Sequence, residues 1–188
     1  MNTLGYVMKK FNLNEDTEFP VRLKFKKYDM AGMFGDLGFR EGAEIGVDKG
    51  HGTEIFCLQN PKARIYAIDS WVGEYESHYE EAKKRLEPYN CIIIKATSME
   101  AVKAFDEGSL DFVYIDADHS YEHVKEDLDV WSKIVRKDGI ISGHDYGHYK
   151  YKDRNLGSKR AINEYVTAHN KKLFLVNRNY QTTWFVVK

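Results

Sequence analysis

Two short polar clusters in the second half of the chain contain the residue types that can move protons. Asp116, Asp118 and His119 directly follow an apolar segment, and His144 and Asp145 follow the next one. In an open α/β sheet the carboxyl ends of parallel strands meet at one rim, where ligands bind. Carboxylates beside imidazoles at such a rim can accept a proton or coordinate a cation. We therefore expect a functional role for Asp116 and Asp145.

The neighbours of these residues have simpler explanations. Asp118 and Ser120 precede a strongly amphipathic segment, and both residue types favour the N-terminal cap of a helix. We expect them to be caps. His119 has two alternatives that the sequence leaves open, a locally bonded residue at the helix start or a general base.

A glycine-rich turn lies earlier in the chain, between two predicted strands. Gly46, Gly50 and Gly52 form the turn, Glu44 precedes them, and Asp69 ends the next strand. Glycine is needed where a backbone turns sharply and a ligand must approach without meeting a Cβ. A carboxylate roughly 20 residues further on suits a ribose diol. The pattern predicts a nucleoside-bearing cofactor.

The spacing of the glycines separates the classes of cofactor. A dinucleotide fingerprint reads G-x-G-x-x-G, whereas this turn reads Gly46-x-x-x-Gly50 and follows Glu44. A carboxylate that faces the turn would repel a pyrophosphate but attract the ammonium group of an amino-acid moiety. An ordinary strand–turn–helix connection with incidental glycines would leave Glu44 and Asp69 without an explanation.

This turn resembles motif I (E-x-G-x-x-x-G) of the class I S-adenosylmethionine (SAM) dependent methyltransferases. The resemblance implies that Glu44 and the glycines hold the methionine part of SAM and that Asp69 binds the ribose hydroxyls. Ser98 and Met99 would flank the adenine. The full set of residues that the resemblance assigns to the cofactor is Glu44, Gly46, Val47, Gly50, Asp69, Ser70, Ser98, Met99 and Asp116.

A narrower resemblance extends over residues 116–121, 143–146, 157–162 and 184–188. These segments look like the macrocin-type sugar O-methyltransferases and the cephalosporin hydroxylase-like proteins. Members of the macrocin-type group bind a divalent cation through an Asp after the fourth strand and two acids after the fifth. Asp116 and Asp145 match this pattern, and His144 replaces the first acid of the pair. The resemblance thus implies Mg²⁺ or Mn²⁺ at these three residues, with a metal-free site as the alternative.

The activity that the resemblance implies is methyl transfer to a hydroxyl of a small acceptor, such as a sugar or a nucleotide-linked sugar. The acceptor must be aligned with the methyl group and lose its proton. A cation could acidify the hydroxyl, and His119 or His144 could take the proton. Without a cation His144 is the leading base, oriented by Asp145 or Asp116. Acceptor contacts are expected from residues 1–40, 71–78 and 146–156.

Two other classes of function remain open. One is a protein with a SAM-binding fold and no transferase activity. The other is a nicotinamide-dependent oxidoreductase, which Glu44 and the glycine spacing oppose. Binding of SAM or of NADH would separate these classes.

The composition limits the partners and the location. The chain has 188 residues, 43% hydrophobic and 30% charged, with a net charge of -1, so no general electrostatic attraction to nucleic acid is expected. No segment approaches the ~18 apolar residues that span a membrane, and no signal peptide is evident. Cys57 and Cys91 are expected to be core residues. We expect a cytoplasmic enzyme that acts on a small molecule, and we leave oligomerisation open.

The elements that position these residues alternate along the chain. Strands are predicted at residues 41–47, 64–69, 91–95, 110–116, 140–142, 172–177 and 182–187, with helices between most of them. The last two strands have no helix between them and should pair antiparallel. We therefore predict an α/β fold, a three-layer Rossmann-like sandwich whose seven-stranded, mostly parallel sheet has one antiparallel strand near the C-terminus. Residues 1–40 are expected to form a helical extension on the acceptor side of a methyltransferase domain at residues 41–188.

Overall fold

A computed structural model describes residues 2–147, 157–176 and 182–188, together with the backbone of residues 150–151 and 154–155. The strands are β1 (Val21–Leu23), β2 (Glu41–Ile45), β3 (Arg64–Asp69), β4 (Cys91–Lys95), β5 (Leu110–Ile115), β6 (Val135–Gly143), β7 (Lys150–Tyr151), β8 (Arg154–Asn155), β9 (Phe174–Val176) and β10 (Thr183–Val187). The helices are α1 (Thr3–Lys10), α2 (Lys27–Asp36), α3 (His51–Gln59), α4 (His78–Leu86), α5 (Ser98–Ala101), α6 (Tyr121–Ile134) and α7 (Ser158–Ala168).

One sheet of eight strands forms the centre of the fold, in the order β1-β9-β10-β6-β5-β2-β3-β4. Its neighbouring strands are parallel except for β10, which runs antiparallel to both β9 and β6. The α/β class and the reversed strand near the C-terminus are therefore confirmed. The chain leaves β2 towards β3 in one direction and returns to β5 on the other side. The carboxyl ends of β2 and β5 thus flank the switch point where ligands bind in such sheets.

The number of strands differs from the prediction, because the first forty residues contribute β1. Val21 pairs with Phe174 of β9 in parallel, so the sheet has eight strands and not seven. α1 and α2 lie on either side of β1 in sequence and are helical as expected. Three residues are too few to show a periodicity. The boundary predicted at residue 40 stays a prediction.

Two different cores cover the two faces of the sheet. Helices α1, α2 and α3 pack on the first face over a cluster of aromatic rings. Phe34 lies 4.3 Å from Phe112, and Phe174 stacks on Phe185 at 4.7 Å, both measured between ring centroids. The second face packs mainly aliphatic side chains against α6 and α7. Together these layers make the three-layer sandwich.

The rest of the fold differs from the sequence prediction at β6 and at β7 and β8. β6 begins at Val135, well ahead of the strand predicted at residues 140–142, and its register with β5 shifts between Leu110 and Phe112. β7 and β8 pair as a separate two-stranded sheet in a segment where no strand was predicted. Cys57 and Cys91 are free thiols; Cys57 is buried in the aromatic core as expected, and Cys91 is half-buried against it. In the described part of the chain, no helix has the length and apolar character to cross a membrane.

Candidate functional site

A cavity of about 790 Å³ opens at the carboxyl ends of β2, β3, β4 and β5, at the switch point of the sheet. Six residues that the sequence assigned to the cofactor line it, and these are Gly46, Asp69, Ser70, Ser98, Met99 and Asp116. A second cavity of about 270 Å³ shares Gly46 and Asp116 with the first. Glu44 and Val47 line this smaller cavity. The structure therefore gathers eight of the nine residues around two joined spaces.

The turn after β2 depends on the absence of a side chain at Gly46. Its φ is 89°, a left-handed conformation that residues with a Cβ rarely adopt. A Cβ at this position would overlap the carbonyl oxygen of Asp116. Backbone hydrogen bonds fix the approach, from Gly46 to Ile68 at 2.8 Å and from Asp116 to Ile45 at 2.7 Å. The turn and the end of β5 are thus in direct contact.

Asp69 holds the same turn in place with its carboxylate. Oδ2 accepts the backbone N–H groups of Val47 at 2.8 Å and Asp48 at 2.9 Å, and Oδ1 accepts that of Trp71 at 2.9 Å. A carboxylate has about four acceptor positions, so at least one is left for a ligand hydroxyl. Asp69 positions the loop in addition to lining the larger cavity.

Glu44 and Gly50 occupy different surroundings although they belong to the same motif. Glu44 is only 2% exposed, accepts the hydroxyl proton of Thr53 and lies against Gly52, where a Cβ would overlap its carboxylate. Gly50 lines neither cavity. It is the left-handed residue before α3, and the space of its missing side chain faces Arg85 of α4. A cofactor contact for Gly50 stays a prediction.

The wall of the larger cavity that α5 and α6 form, which we call the far wall, contains Asp127, a residue that sequence reasoning missed. Thr97, not Ser98, caps α5 and forms a capping box with Glu100. Ser98 instead donates its hydroxyl proton to Asp127 and accepts the indole N–H of Trp131 at 2.8 Å. The signal for Asp127 was a carboxylate on the apolar face of an amphipathic helix. Its burial at 4% exposure raises its pKa to about 6, against a smaller lowering by the bond from Ser98.

The rim of the cavity carries a cluster of two carboxylates and two imidazoles. His119 Nε2 lies 3.1 Å from Asp145 Oδ2 and 3.9 Å from Asp116 Oδ1. His144 Nδ1 lies 3.3 Å from Asp145 Oδ1 and 3.6 Å from Asp116 Oδ1. We call these four residues the rim cluster. The predicted catalytic residues therefore meet, and His119 is the histidine of the cluster that lines the cavity.

Contacts from three elements fix the backbone of the rim cluster. Asp145 has a φ of 55°, a left-handed conformation that is uncommon for residues with a side chain, although Asp adopts it more often than most. Its carbonyl accepts the hydroxyl proton of Ser158. The carbonyl of His144 accepts the indole N–H of Trp184 at 3.2 Å, and its N–H donates to Ile115 at 3.0 Å. β5, β10 and α7 thus fix this segment from three sides.

Of the two residues expected to be caps, Ser120 is the cap, because its hydroxyl accepts the backbone N–H of His123 at the start of α6. Asp118 does not cap the helix and instead accepts the backbone N–H of Ser120 at 2.7 Å. Of the segments expected to contact an acceptor, residues 148–149, 152–153 and 156 lie outside the described part of the chain. Tyr146 is described and donates its hydroxyl proton to Asn163 at 2.8 Å.

The rim cluster contains the oxygen and nitrogen atoms that a divalent cation would need as ligands. The described residues contain no group of three or more His, Cys, Asp or Glu side chains arranged as metal ligands. In the rim cluster Nε2 of His119 and Nδ1 of His144 each face a carboxylate oxygen of Asp145, so imidazole–carboxylate pairing accounts for these atoms. The arrangement fits a hydrogen-bonded network better than a cation site, and a cation at Asp116, His144 and Asp145 stays a prediction.

Solved structures similar to this chain share its fold. An O-methyltransferase from Bacillus cereus in complex with SAH has a TM-score of 0.71 and 17% identity, covering 99% of this chain and 90% of that one. A precorrin-6y C5,15-methyltransferase from Geobacter metallireducens has a TM-score of 0.64 and 13% identity, covering 86% of each. An O-methyltransferase family protein from Burkholderia thailandensis has a TM-score of 0.66 and 11% identity, covering 86% and 55%.

Comparison of sequences identifies the family. The uncharacterized protein y4gI of Sinorhizobium fredii is 24% identical over 131 residues, which are 60% of this chain and 14% of that protein, so the chain spans a small part of this curated relative. The model of a methyltransferase domain family matches residues 43–146, from β2 through β6 and both clusters described above. The chain belongs to this methyltransferase domain family.

Proposed function

We propose that the protein transfers the methyl group of SAM to a hydroxyl oxygen of a small acceptor and that His119 accepts the hydroxyl proton. The observation that carries this proposal is the contact of 3.1 Å between His119 and the buried Asp145 at the edge of the cavity. An imidazole held by a carboxylate is a common general base, because the carboxylate fixes the ring and stabilises its protonated form.

The two joined cavities support a division of the cofactor between them. The larger one has room for the adenosine part, with Asp69 at the ribose and Ser98 and Met99 at the adenine. The smaller one has Glu44 and Asp116 on its walls, and these carboxylates would attract the ammonium group of the methionine part. Gly46 lies where the two spaces meet. The sulfonium would then lie close to Asp116.

The tautomer of His119 that the rim cluster favours determines which ring nitrogen can accept the hydroxyl proton. With its Nε2–H donated to Asp145, His119 has Nδ1 free to accept a proton. As the acceptor oxygen bonds to the methyl carbon, the carbon–sulfur bond breaks and its electron pair stays on sulfur, giving SAH. The hydroxyl proton moves to Nδ1 of His119. Asp145 stabilises the imidazolium, and His144 on the other side of Asp145 limits its movement.

The acceptor class rests on the resemblance to the macrocin-type group, which suggests a sugar or a nucleotide-linked sugar. An O-methyltransferase among the similar structures supports oxygen as the acceptor atom. The precorrin methyltransferase has the same fold, so the fold alone does not decide the acceptor. A cytoplasmic location is a further part of this proposal, and the reaction as proposed needs no cation.

Binding and turnover test the proposal in two steps. Calorimetry with SAM, SAH and NADH should give binding of the first two and none of NADH. Mass spectrometry should then detect transfer of the labelled methyl group to a nucleotide sugar or a catechol. Binding of NADH alone would contradict the proposal, and SAH binding without transfer to any hydroxyl acceptor would favour a non-catalytic protein. Loss of activity in EDTA and its return with Mg²⁺ or Mn²⁺ would add a cation to the site.

A further inference from the structure

The far wall of the larger cavity presents hydrogen-bond acceptors to whatever ring lies there. Ser98 uses its hydroxyl proton on Asp127 and one lone pair on the indole of Trp131, so it has no proton to offer the cavity. Among the described residues Ser98 is the one hydrogen-bond donor found for the Asp127 carboxylate, which has about four acceptor positions. The side chains of Ser98 and Asp127 therefore present acceptors and no spare proton to this wall.

The entrance to this wall is apolar. Val72 and Met99 line the cavity with 66% and 39% of their surfaces exposed, although large apolar side chains are normally covered. Apolar side chains at these positions can pack against the face of a purine ring. The edge of adenine that carries its exocyclic amino group offers two protons, which complement a wall of acceptors.

We infer that Asp127 recognises the exocyclic amino group of the cofactor's adenine and so makes the site selective for adenine over purines that lack this donor. The inference rests on the proposed function. Asp127 comes from α6, an element well separated in sequence from the glycine motif, and it lines the cavity beside Ser98. An adenine amino group would give a partner to a carboxylate that burial otherwise disfavours.

Two ligands that differ by one group test this inference on the wild-type protein. One is SAH, and the other is its purine analogue with hydrogen in place of the amino group. We expect calorimetry to show at least tenfold tighter binding of SAH, as a hydrogen bond to a charged group contributes about 1.5–3 kcal/mol. Equal affinities would overturn the inference and leave the proposed function intact. No binding of SAH at all would contradict the proposed function itself.

Variants of Asp127 separate recognition from a structural role. Asp127→Ala should bind both ligands with affinities within threefold of each other, because the acceptor is gone. A purely structural role would weaken both ligands equally and keep the tenfold ratio, which would overturn the inference. Asp127→Asn, of the same shape, is the second variant if the alanine variant does not fold. Asp129→Ala, at an exposed carboxylate of the same helix, is the matched control and should keep the wild-type ratio.

Discussion

The turn after β2 and the rim cluster use opposite means to prepare neighbouring parts of one site. The turn is built from backbone groups. Gly46 lies directly against the carbonyl of Asp116, and Asp69 accepts the N–H groups of Val47 and Asp48. The rim cluster is made from side chains, with two imidazoles that share the carboxylate of Asp145. An added side chain in the turn should therefore abolish cofactor binding. A substitution in the rim cluster should leave the protein folded and able to bind the cofactor, but should lower the rate of methyl transfer.

The largest effect is expected at the turn, for Gly46→Val. The new side chain would overlap the Asp116 carbonyl and fill the junction of the two cavities, so SAH binding should fall below detection by calorimetry. Gly38→Val is the matched control, since Gly38 also has a positive φ of 73° but has no atom within 4 Å of its Cβ position. Both variants should melt earlier, and the control should still bind SAH. Wild-type affinity in Gly46→Val would show that the cofactor lies elsewhere.

The rim cluster should respond in turnover and not in binding. His119→Ala should lower kcat by about 10²–10⁴-fold, the range of general acid–base catalysis, while SAH affinity changes less than threefold. Asp145→Asn should lose part of the same rate, because an amide stabilises the imidazolium less well. His169→Ala is the control, since His169 is bonded to Tyr165 at the end of α7. Full activity of His119→Ala would remove this residue from the mechanism and return the role to His144.

Asp69→Ala sharpens the comparison, because Asp69 holds the turn after β2 but does so with its side chain. We expect at least tenfold weaker SAH binding, from loss of the ribose contact and of the bonds that hold the turn. Asp111 is a matched control at the other end of the sheet, where its carboxylate accepts the backbone N–H groups of Arg40 and Glu41. Asp111→Ala should lower the melting temperature and leave SAH affinity unchanged. Equal binding by both variants would limit Asp69 to a structural role.

The last effect concerns stability and not binding or turnover, and it arises at Asp127. Burial raises the pKa of this carboxyl from 3.8 to about 6, so the folded protein holds its proton more tightly than the unfolded chain. This contribution to stability is complete below about pH 4 and is lost as pH rises through about 6, on the order of 3 kcal/mol. In the ligand-free protein, Asp127→Asn should flatten this part of the curve of unfolding free energy against pH, whereas Asp129→Asn should not. Parallel curves for wild type and Asp127→Asn would contradict a raised pKa for the Asp127 carboxyl.

The same contrast explains which parts of the site the sequence could predict. The turn was predictable because Glu44, Gly46 and Asp69 are close in sequence and each residue type has a specific physical purpose there. The rim was predictable as a meeting place, because parallel strands end on one side of the sheet. Which imidazole faces the cavity depends on how Trp184 and Ser158 fix the segment after β6, and no local pattern encodes that.

The misses have physical causes as well. β1 has three residues, and its pairing with β9 determines its structure more than its own propensity does. The cap of α5 is a signal that was overlooked, because Thr97 and Glu100 form the T-x-x-E pattern of a capping box, which the sequence already contains. Asp127 is a polar residue at a core position of a helix. Periodicity assigns such a position to the core and is silent about its partner.

The position of β1 has a consequence for how the chain is made. Val21 emerges from the ribosome early, but its partner Phe174 is among the last parts of the sheet to be synthesised. At 5–20 residues per second, the N-terminal segment would wait roughly ten to thirty seconds for that strand. During this interval the apolar residues of α1 and α2 lack the surface that the later strands supply. The newborn chain therefore exposes an apolar segment that its own fold covers only after β9 has been made.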